Sequence, residues 1–234
     1  VTINGSTTIG EEAFFLCASL AHVIIQGDTN IGINAFRQCP ALRDVTINGS
    51  TTIGEEAFFL CTSLVNIDIA GVTSIGMEAF EGCSALTSIT IPDSVTTIGV
   101  RAFEGCSSLT SITIPDSVST IGYGAFKQCT KLTDVAIPGG VIGRMGFQRC
   151  TSLVNIDIAG ATAIGTEAFE GCSALTSITI PDSVTAIGRE AFFGCSSLTS
   201  ITIPGSVTTI GVRAFENCTS LGTVTIGEGV TTIG

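Results

Sequence analysis

The chain has 234 residues and a formal net charge of −11; only 12% of its residues are charged, whereas 44% are hydrophobic. Nine scattered basic residues argue against a nucleic-acid-binding surface, because phosphate recognition needs clustered Lys and Arg. Thr, Ser and Gly interrupt every apolar stretch well before the ~18 residues that a membrane-spanning helix needs. Regularly placed Ile, Leu, Val and Phe supply a core, which argues against disorder.

An internal repeat runs through the whole chain. The dipeptide Ile-Gly recurs from Ile9 to Ile233 in steps of 21 to 23 residues. In ten units a Cys follows that Ile by eight residues, with a Phe three before the Cys and a Leu three after it. The unit therefore reads I-G-x-x-A-F-x-x-C-x-x-L-x-x-[IV]-x-I. Its length varies only between the last Ile and the next Ile-Gly, which predicts a surface turn there, because loops tolerate insertions.

The spacing of apolar residues predicts the elements of each unit in chain order. Every Leu-x-x-Ile-x-Ile segment predicts a β-strand, the first at 1–3 and the last at 224–226, and equal direction makes the sheet parallel. Ala79, Phe80 and Cys83 fit one face of a short return helix, which Gly82 would end. The Val-x-x-Ile segment before Ile-Gly predicts a second, very short strand. The predicted fold class is an α/β solenoid of about ten units with one parallel sheet face and short helical return segments.

Stacking is needed because no unit of this size buries enough apolar area to offset the ~1–2 kcal/mol of backbone entropy that each ordered residue loses. A longer duplication supports contacts between neighbours only. Residues 62–95 match 151–184 almost residue for residue, 89 positions later. Whole units can be copied without harm where each contacts only its neighbours.

The unit Leu86–Ser108, LTSITIPDSVTTIGVRAFEGCSS, resembles the BspA-like class of leucine-rich repeats, and this resemblance covers essentially the whole chain. It implies a leucine-rich repeat solenoid in a non-catalytic, cell-surface or secreted protein that binds host proteins, other cells or matrix. An extracellular or cell-surface location is therefore expected. Gly146 replaces the usual Ala in the shortest unit, so we expect a local irregularity there.

The ends of the sequence also carry an expectation. Val1-Thr2-Ile3 aligns with Val45-Thr46-Ile47, so the chain begins inside a strand, and it stops at Gly234 before the next Ala-Phe. Solenoids need polar capping units, and none is visible. Residues 1–234 are thus interpreted as a single solenoid that is a fragment of a longer chain.

The ten cysteines have three interpretations. Adjacent Cys residues would lie within disulfide range, but equivalent side chains in a stack point the same way. Spacings of 21–23 residues match no zinc pattern, which uses local pairs such as C-x2-C. We expect a ladder of buried free thiols that act as small apolar core residues. No metal site and no cofactor are expected.

No catalytic constellation stands out. His22 is the only His, so a triad or a His-based metal site has no second member. The acids follow the repeat and do not form a cleft. Asp93, Asp116 and Asp182 in Pro-Asp-Ser turns could touch calcium, but one carboxylate per turn is a weak ligand set, and turn formation is the better interpretation. The chain is expected not to be an enzyme.

The outward side of the predicted sheet consists mainly of small polar side chains, with a few acidic ones. It lacks the aromatic and Arg anchors of tight interfaces, so it is either merely solvated or a weak, extended binding face whose strength comes from many units. The candidate binding residues are Asp44, Asn66, Asp68, Ser88, Thr90, Ser111, Thr113, Asp134, Asn155 and Asp157.

A second candidate surface lies outside the sheet. Phe15, Leu16, Phe59, Leu60 and Phe193 follow the buried Phe, where other units carry polar residues such as Glu81, Arg37 and Lys127. They predict either an association patch for a neighbouring molecule or local packing against the next turn.

The sequence also contains possible glycosylation sites and leaves two alternative functions open. Asn4, Asn48 and Asn217 fit the glycosylation sequon, the first two in predicted turns. A structural spacer or self-associating matrix component is the alternative to adhesion through a protein or matrix ligand. Ser-x-Thr pairs such as Ser88 and Thr90 suggest a more remote alternative, an ice- or mineral-contacting surface.

Overall fold

Each unit except the one around Ile178 contributes two short strands to a parallel solenoid, which a computed structural model describes for residues 1–234. In chain order they are β1 (Thr2–Asn4), β2 (Thr7–Ile9), β3 (His22–Gln26), β4 (Thr29–Ile31), β5 (Asp44–Asn48), β6 (Thr51–Ile53), β7 (Asn66–Asp68), β8 (Val72–Ile75), β9 (Ser88–Thr90), β10 (Thr97–Ile98), β11 (Ser111–Thr113), β12 (Thr120–Ile121), β13 (Asp134–Ala136), β14 (Gly140–Ile142), β15 (Asn155–Asp157), β16 (Ala161–Ile164), β17 (Ala186–Ile187), β18 (Ser200–Ile203), β19 (Thr209–Ile210), β20 (Thr223–Ile226) and β21 (Thr232–Ile233). The solenoid makes about eleven turns.

The strands form two sides, which we call the wide face and the narrow face. The narrow face is one 11-stranded parallel sheet of β2, β4, β6, β8, β10, β12, β14, β16, β17, β19 and β21. It confirms the second, very short strand of each unit. The wide face carries the Leu-x-x-Ile-x-Ile strands, paired in register so that Ser88, Ser111 and Asp134 are direct neighbours.

The wide face is not the single sheet that the sequence predicts. It is divided into β1-β3-β5-β7, β9-β11-β13-β15 and β18-β20. Between the last two sheets, the expected strand near Ile178 is reduced to an isolated parallel bridge from Thr179 to Thr202. The parallel direction and the register are confirmed, whereas the continuity of this face is not.

The predicted return helices are wrong, because the return segments contain turns and no helix. In one unit the amides of Glu78, Phe80 and Gly82 donate to carbonyls of the next unit at 2.8 Å. The intervening amides of Glu81 and Cys83 donate three residues back at 3.1 Å. An α-helix would instead close every amide four residues back within its own segment. Glu78 and Gly82 also adopt left-handed φ angles of 54° and 71°, which interrupt a right-handed helix.

A continuous core runs between the two faces. Phe rings of successive units, from Phe14 to Phe215, stack with centroids 5.0 to 5.7 Å apart. The repeated Leu, Ile and Ala side chains are buried around them. At Gly99, an added Cβ would lie 2.5 Å from the carbonyl oxygen of Gly76, so the Ile-Gly glycine is needed for close packing of successive turns.

The cysteines form the predicted ladder of free thiols. All ten are free; nine are buried, and Cys17 in the first unit is half-buried. From Cys39 onward each thiol donates to the Phe carbonyl of the preceding unit, as Cys106 Sγ does to Phe80 O at 3.2 Å. Burial raises the pKa of the Cys83 and Cys150 thiols to about 12. The column therefore acts as small core packing with one local hydrogen bond per unit.

Candidate functional site

The wide face presents the predicted binding residues together on one side of the solenoid. Alternation along each strand places one residue inward and the next outward, as in β9, where Ile89 is buried and its neighbours are exposed. Asp44 is half-buried, and the other nine candidates are exposed: Asn66, Asp68, Ser88, Thr90, Ser111, Thr113, Asp134, Asn155 and Asp157. The division of the sheet places Asp44, Asn66 and Asp68 on one strip and the remaining seven on the next.

Asp and Asn side chains cross-link adjacent strands at two places on this face. Asn66 Nδ2 donates to Asp44 Oδ1 at 2.8 Å, and Asn155 Nδ2 donates to Asp134 Oδ1 at the same distance. These hydrogen bonds are the main reason why the pKa values of the Asp44 and Asp134 carboxyls lie below their ordinary range. His22 Nδ1 also lies 2.9 Å from Asp44 Oδ2. The carboxylates thus stay ionised in mildly acidic solution, and the face stays negative.

Asp68 and Asp157 act on the main chain. Asp68 Oδ1 accepts the Ala70 amide at 3.1 Å, and Asp157 Oδ1 accepts the Ala159 amide at 2.9 Å. Such an Asx turn supplies a local partner for an amide at the end of a strand. Both aspartates therefore lie where their strands end.

The apolar residues outside the sheet do not form one patch. Leu16 and Leu60 line a shared depression of about 300 Å³ together with Ala18, Gln38, Pro40 and Thr62. Phe15 precedes Leu16 and is exposed. The Arg37 guanidinium lies over the Phe59 ring at 4.3 Å, and Arg213 lies over Phe193 at 5.2 Å, six units away. The structure thus joins Leu16 to Leu60 and leaves Phe193 apart.

The two leucines are strained as well as exposed. Leu16 and Leu60 have φ angles of 57° and 54° and are 56% and 37% exposed. Other units place glycines such as Gly82 and Gly105 at this position, with φ of 71° and 72°. A left-handed conformation costs a branched residue roughly 1 kcal/mol. The sequence contained this signal, because both leucines align with those glycines immediately before the Cys.

The sequons are exposed but differ in setting. Asn4 and Asn48 are the last residues of β1 and β5, so their placement in turns was wrong by one residue. Asn217 lies in the return segment with a left-handed φ of 62°. Glycosylation at these positions stays a prediction.

A cluster of carboxylates that the sequence reasoning missed lies on the return side. Lys127 Nζ pairs with Glu104 Oε1 at 2.8 Å, and Arg101 lies 3.4 Å from Glu78. Glu81 Oε2 is buried without a hydrogen-bond partner. Burial, together with the neighbouring Glu78 and Glu104 charges, raises the pKa of Glu81 to about 7. The signal was present, because glutamates at the same position of adjacent units must stack.

The carboxylates of this cluster do not converge on a metal-binding site. No group of three or more His, Cys, Asp or Glu side chains converges to hold a metal ion. The structure contains no helix of the length and apolarity needed to cross a membrane.

The profile of the "BspA type Leucine rich repeat region" family matches this repeating geometry over residues 1–84, 51–158 and 140–234. The chain belongs to this family. Leucine-rich repeat proteins mediate protein interactions, and their repeat families are generally non-enzymatic scaffolds. No curated protein matches the chain significantly.

Solved bacterial structures resemble this leucine-rich repeat chain. A leucine-rich repeat protein from Bacteroides ovatus is 31% identical with a TM-score of 0.84 over 97% of this chain and 66% of that one. The T. pallidum leucine-rich repeat protein is 28% identical with a TM-score of 0.55 over 73% and 72%. A leucine-rich repeat protein from Eubacterium ventriosum, at 22% identity and a TM-score of 0.58, shares the fold over 96% and 77%. The chain thus spans about two thirds of the B. ovatus protein's length.

Replacing Glu81 by Gln should stabilise the fold at neutral and alkaline pH but not at pH 4. The raised pKa means that ionisation of Glu81 opposes folding, with no effect below pH 4.5 and the full effect above pH 7. After solvent screening of this half-buried group, we expect a gain of about 1 kcal/mol at pH 8.5 and none at pH 4. Urea unfolding at both pH values measures it.

The matched control is Glu170→Gln at the position 89 residues later, where the carboxylate accepts a hydrogen bond from Gln148 Nε2 at 2.6 Å, and it should bring no gain at pH 8.5. An equal stability change for Glu81→Gln at both pH values would contradict the assignment.

Proposed function

We propose that the chain is a non-catalytic scaffold on the cell surface or in a secreted protein, and that its wide face binds a protein or matrix ligand. Family membership is the observation that carries this proposal, because leucine-rich repeat proteins mediate protein interactions. The exposed, in-register polar columns supply the surface. Adhesion through such a ligand is the specific role that we propose for this binding.

The chemistry of the face favours many weak contacts. Ser88, Thr90, Ser111 and Thr113 offer hydroxyls at regular strand spacing, and Asp134 adds a carboxylate whose lowered pKa keeps it charged. None of these side chains is a large aromatic or Arg anchor. Affinity must therefore come from the number of strands that a partner covers. A partner with an extended, polar and partly basic surface fits this description.

The experiment compares the two sides of the same turns. Thr90→Arg with Thr113→Arg places two bulky cations on neighbouring strands of the wide face. Thr97→Arg with Thr120→Arg makes the same change on neighbouring strands of the narrow face. In a binding array of purified matrix and cell-surface proteins, the wide-face pair should weaken binding by at least ten-fold, and the narrow-face pair should leave it within two-fold.

Two outcomes would contradict the proposal. One is equal loss in both double variants; the other is no binding by the parent chain to any protein of the array. The second outcome would favour the structural spacer.

We also propose self-association through the Leu16–Leu60 depression, since two strained, exposed leucines line it. Leu16→Gly with Leu60→Gly installs the residue that other units use, so the fold should keep its stability while the apolar surface is lost. Sedimentation velocity over a concentration series should show association of the parent chain and its loss in this variant.

Gln38→Gly is the matched control, because Gln38 lies between the two leucines with a φ of 55° but is polar. It should leave association intact. A parent chain that stays monomeric, or a leucine variant that associates unchanged, would refute the role of the depression.

The ice- or mineral-contacting alternative is not proposed. Its Ser-x-Thr pairs lie in register on β9 and β11, but Asp134 and the Asn155–Asp157 strand follow directly. The division of the wide face interrupts the array on both sides.

A further inference from the structure

The wide face has no backbone hydrogen bond at two junctions that occupy equivalent positions in the duplicated segments. A third level, between 176–180 and 199–203, keeps one, from Thr199 N to Thr176 O at 3.2 Å. No backbone hydrogen bond joins residues 65–70 to 87–91, and none joins 154–159 to 176–180. A cleft of about 650 Å³ lies at the first junction and one of about 430 Å³ at the second. The two junctions are 89 residues apart, as the duplicated segments are.

The narrow face is weakest at the same two junctions. Strands β8 and β10 share a single residue pair, Ile75 with Ile98, and β16 and β17 share only Ile164 with Ile187. All other neighbouring strands of the narrow face share two or three pairs. At each of the two junctions, the wide face and the narrow face therefore lose strand pairing at the same level of the solenoid.

One change in the sequence accompanies both junctions. It is a change in the number of residues between the last Ile of a wide-face strand and the Ile of the next Ile-Gly, a segment that we call the connector. A five-residue connector, Ala70–Ser74, is followed by a six-residue one, Pro92–Thr97, at the first junction. Ala159–Ala163 and Pro181–Ala186 repeat this step at the second. No other pair of successive units steps from five residues to six.

The longer connector turns one position later. In the five-residue connector the Val72 amide closes a turn on the Ile69 carbonyl at 2.9 Å. In the next unit the Val95 amide closes it on Pro92, one position beyond the strand's last Ile, at 3.0 Å. The Asx turn at Asp68 also holds the chain in the conformation in which it leaves the wide face directly after β7. Two successive strands thus leave the wide face at different points, which disfavours pairing where a five-residue connector is followed by a six-residue one.

The core does not open at these levels. Phe80 stacks on the Phe rings of both neighbouring units at 5.3 Å. Phe169 does so at 5.7 and 5.4 Å. The two sides of each junction therefore remain joined through apolar packing, one pair on the narrow face and the hydrogen bonds of the return segments, such as Phe80 N to Ala102 O and Phe169 N to Ala191 O at 2.8 Å.

We propose that the two junctions are bending joints that divide the solenoid into three stiffer segments and let the wide face change its curvature. Segments with few backbone hydrogen bonds open at lower free energy than fully paired ones. The hydrogen-bonded return segments and the stacked Phe column form the pivot, and the wide face is the side that opens. This mechanical property does not depend on what the face binds.

Hydrogen exchange of the intact chain, followed by NMR, tests the joints directly. The amides of Ile69 and Ile158 should exchange at least ten times faster than those of Ile91 and Ile137. The last two donate across paired strands, to Thr113 O at 3.3 Å and Asp157 O at 2.7 Å. Equal protection in both groups would overturn the proposal.

A connector exchange tests the cause. Replacing Ala70–Ser74 with Pro-Asp-Ser-Val-Thr-Thr moves the step from five to six residues one unit toward the N-terminus. Protection of Ile69 should then rise, and that of Ile47 should fall. Ser119→Thr is the control, since it gives connector 115–120 the sequence of 92–97 without changing its length. Fast exchange that stays at Ile69 in the exchanged chain would show that connector length is not the cause.

Discussion

The structure depends on main-chain hydrogen bonds that leave each unit and end in the next. Every second amide of a return segment, such as those of Glu78 and Phe80, donates to the following turn. A single unit consequently cannot satisfy its own backbone, and unsatisfied buried amides are costly. The Phe and Leu columns stabilise the same register by burial. Stacking in register is therefore the condition under which any unit folds at all.

Much of this architecture could be predicted from periodicity. The inward Leu and Ile positions, the parallel direction, the second short strand and the buried Cys column all follow from residues that recur at one position. The return helix was wrong because Ala79, Phe80 and Cys83 fit a helical stripe, whereas the amides from Phe80 to Cys83 bond alternately between and within units. Side-chain spacing carries no information about which partner an amide chooses.

The division of the wide face and parts of the candidate surfaces also depend on backbone conformation and burial, which side-chain spacing does not reveal. Connector lengths were readable, but their effect depends on where the turn closes, at Ile69 or at Pro92. The outward columns were predicted residue by residue, since alternation fixes the side of a strand. The strain at Leu16 and Leu60 could be recognised only from their backbone φ angles. Glu81 needed the burial that only the stacked neighbours supply.

Distances between spin labels on the wide face test the stacking most directly. Thr46 is separated from Asp157, Thr202 and Thr225 by five, seven and eight turns. With a strand spacing of ~4.8 Å, double electron–electron resonance should give distances near ~24, ~34 and ~38 Å for the three labelled pairs. Distances that fail to increase with the number of turns would contradict a solenoid stacked in register.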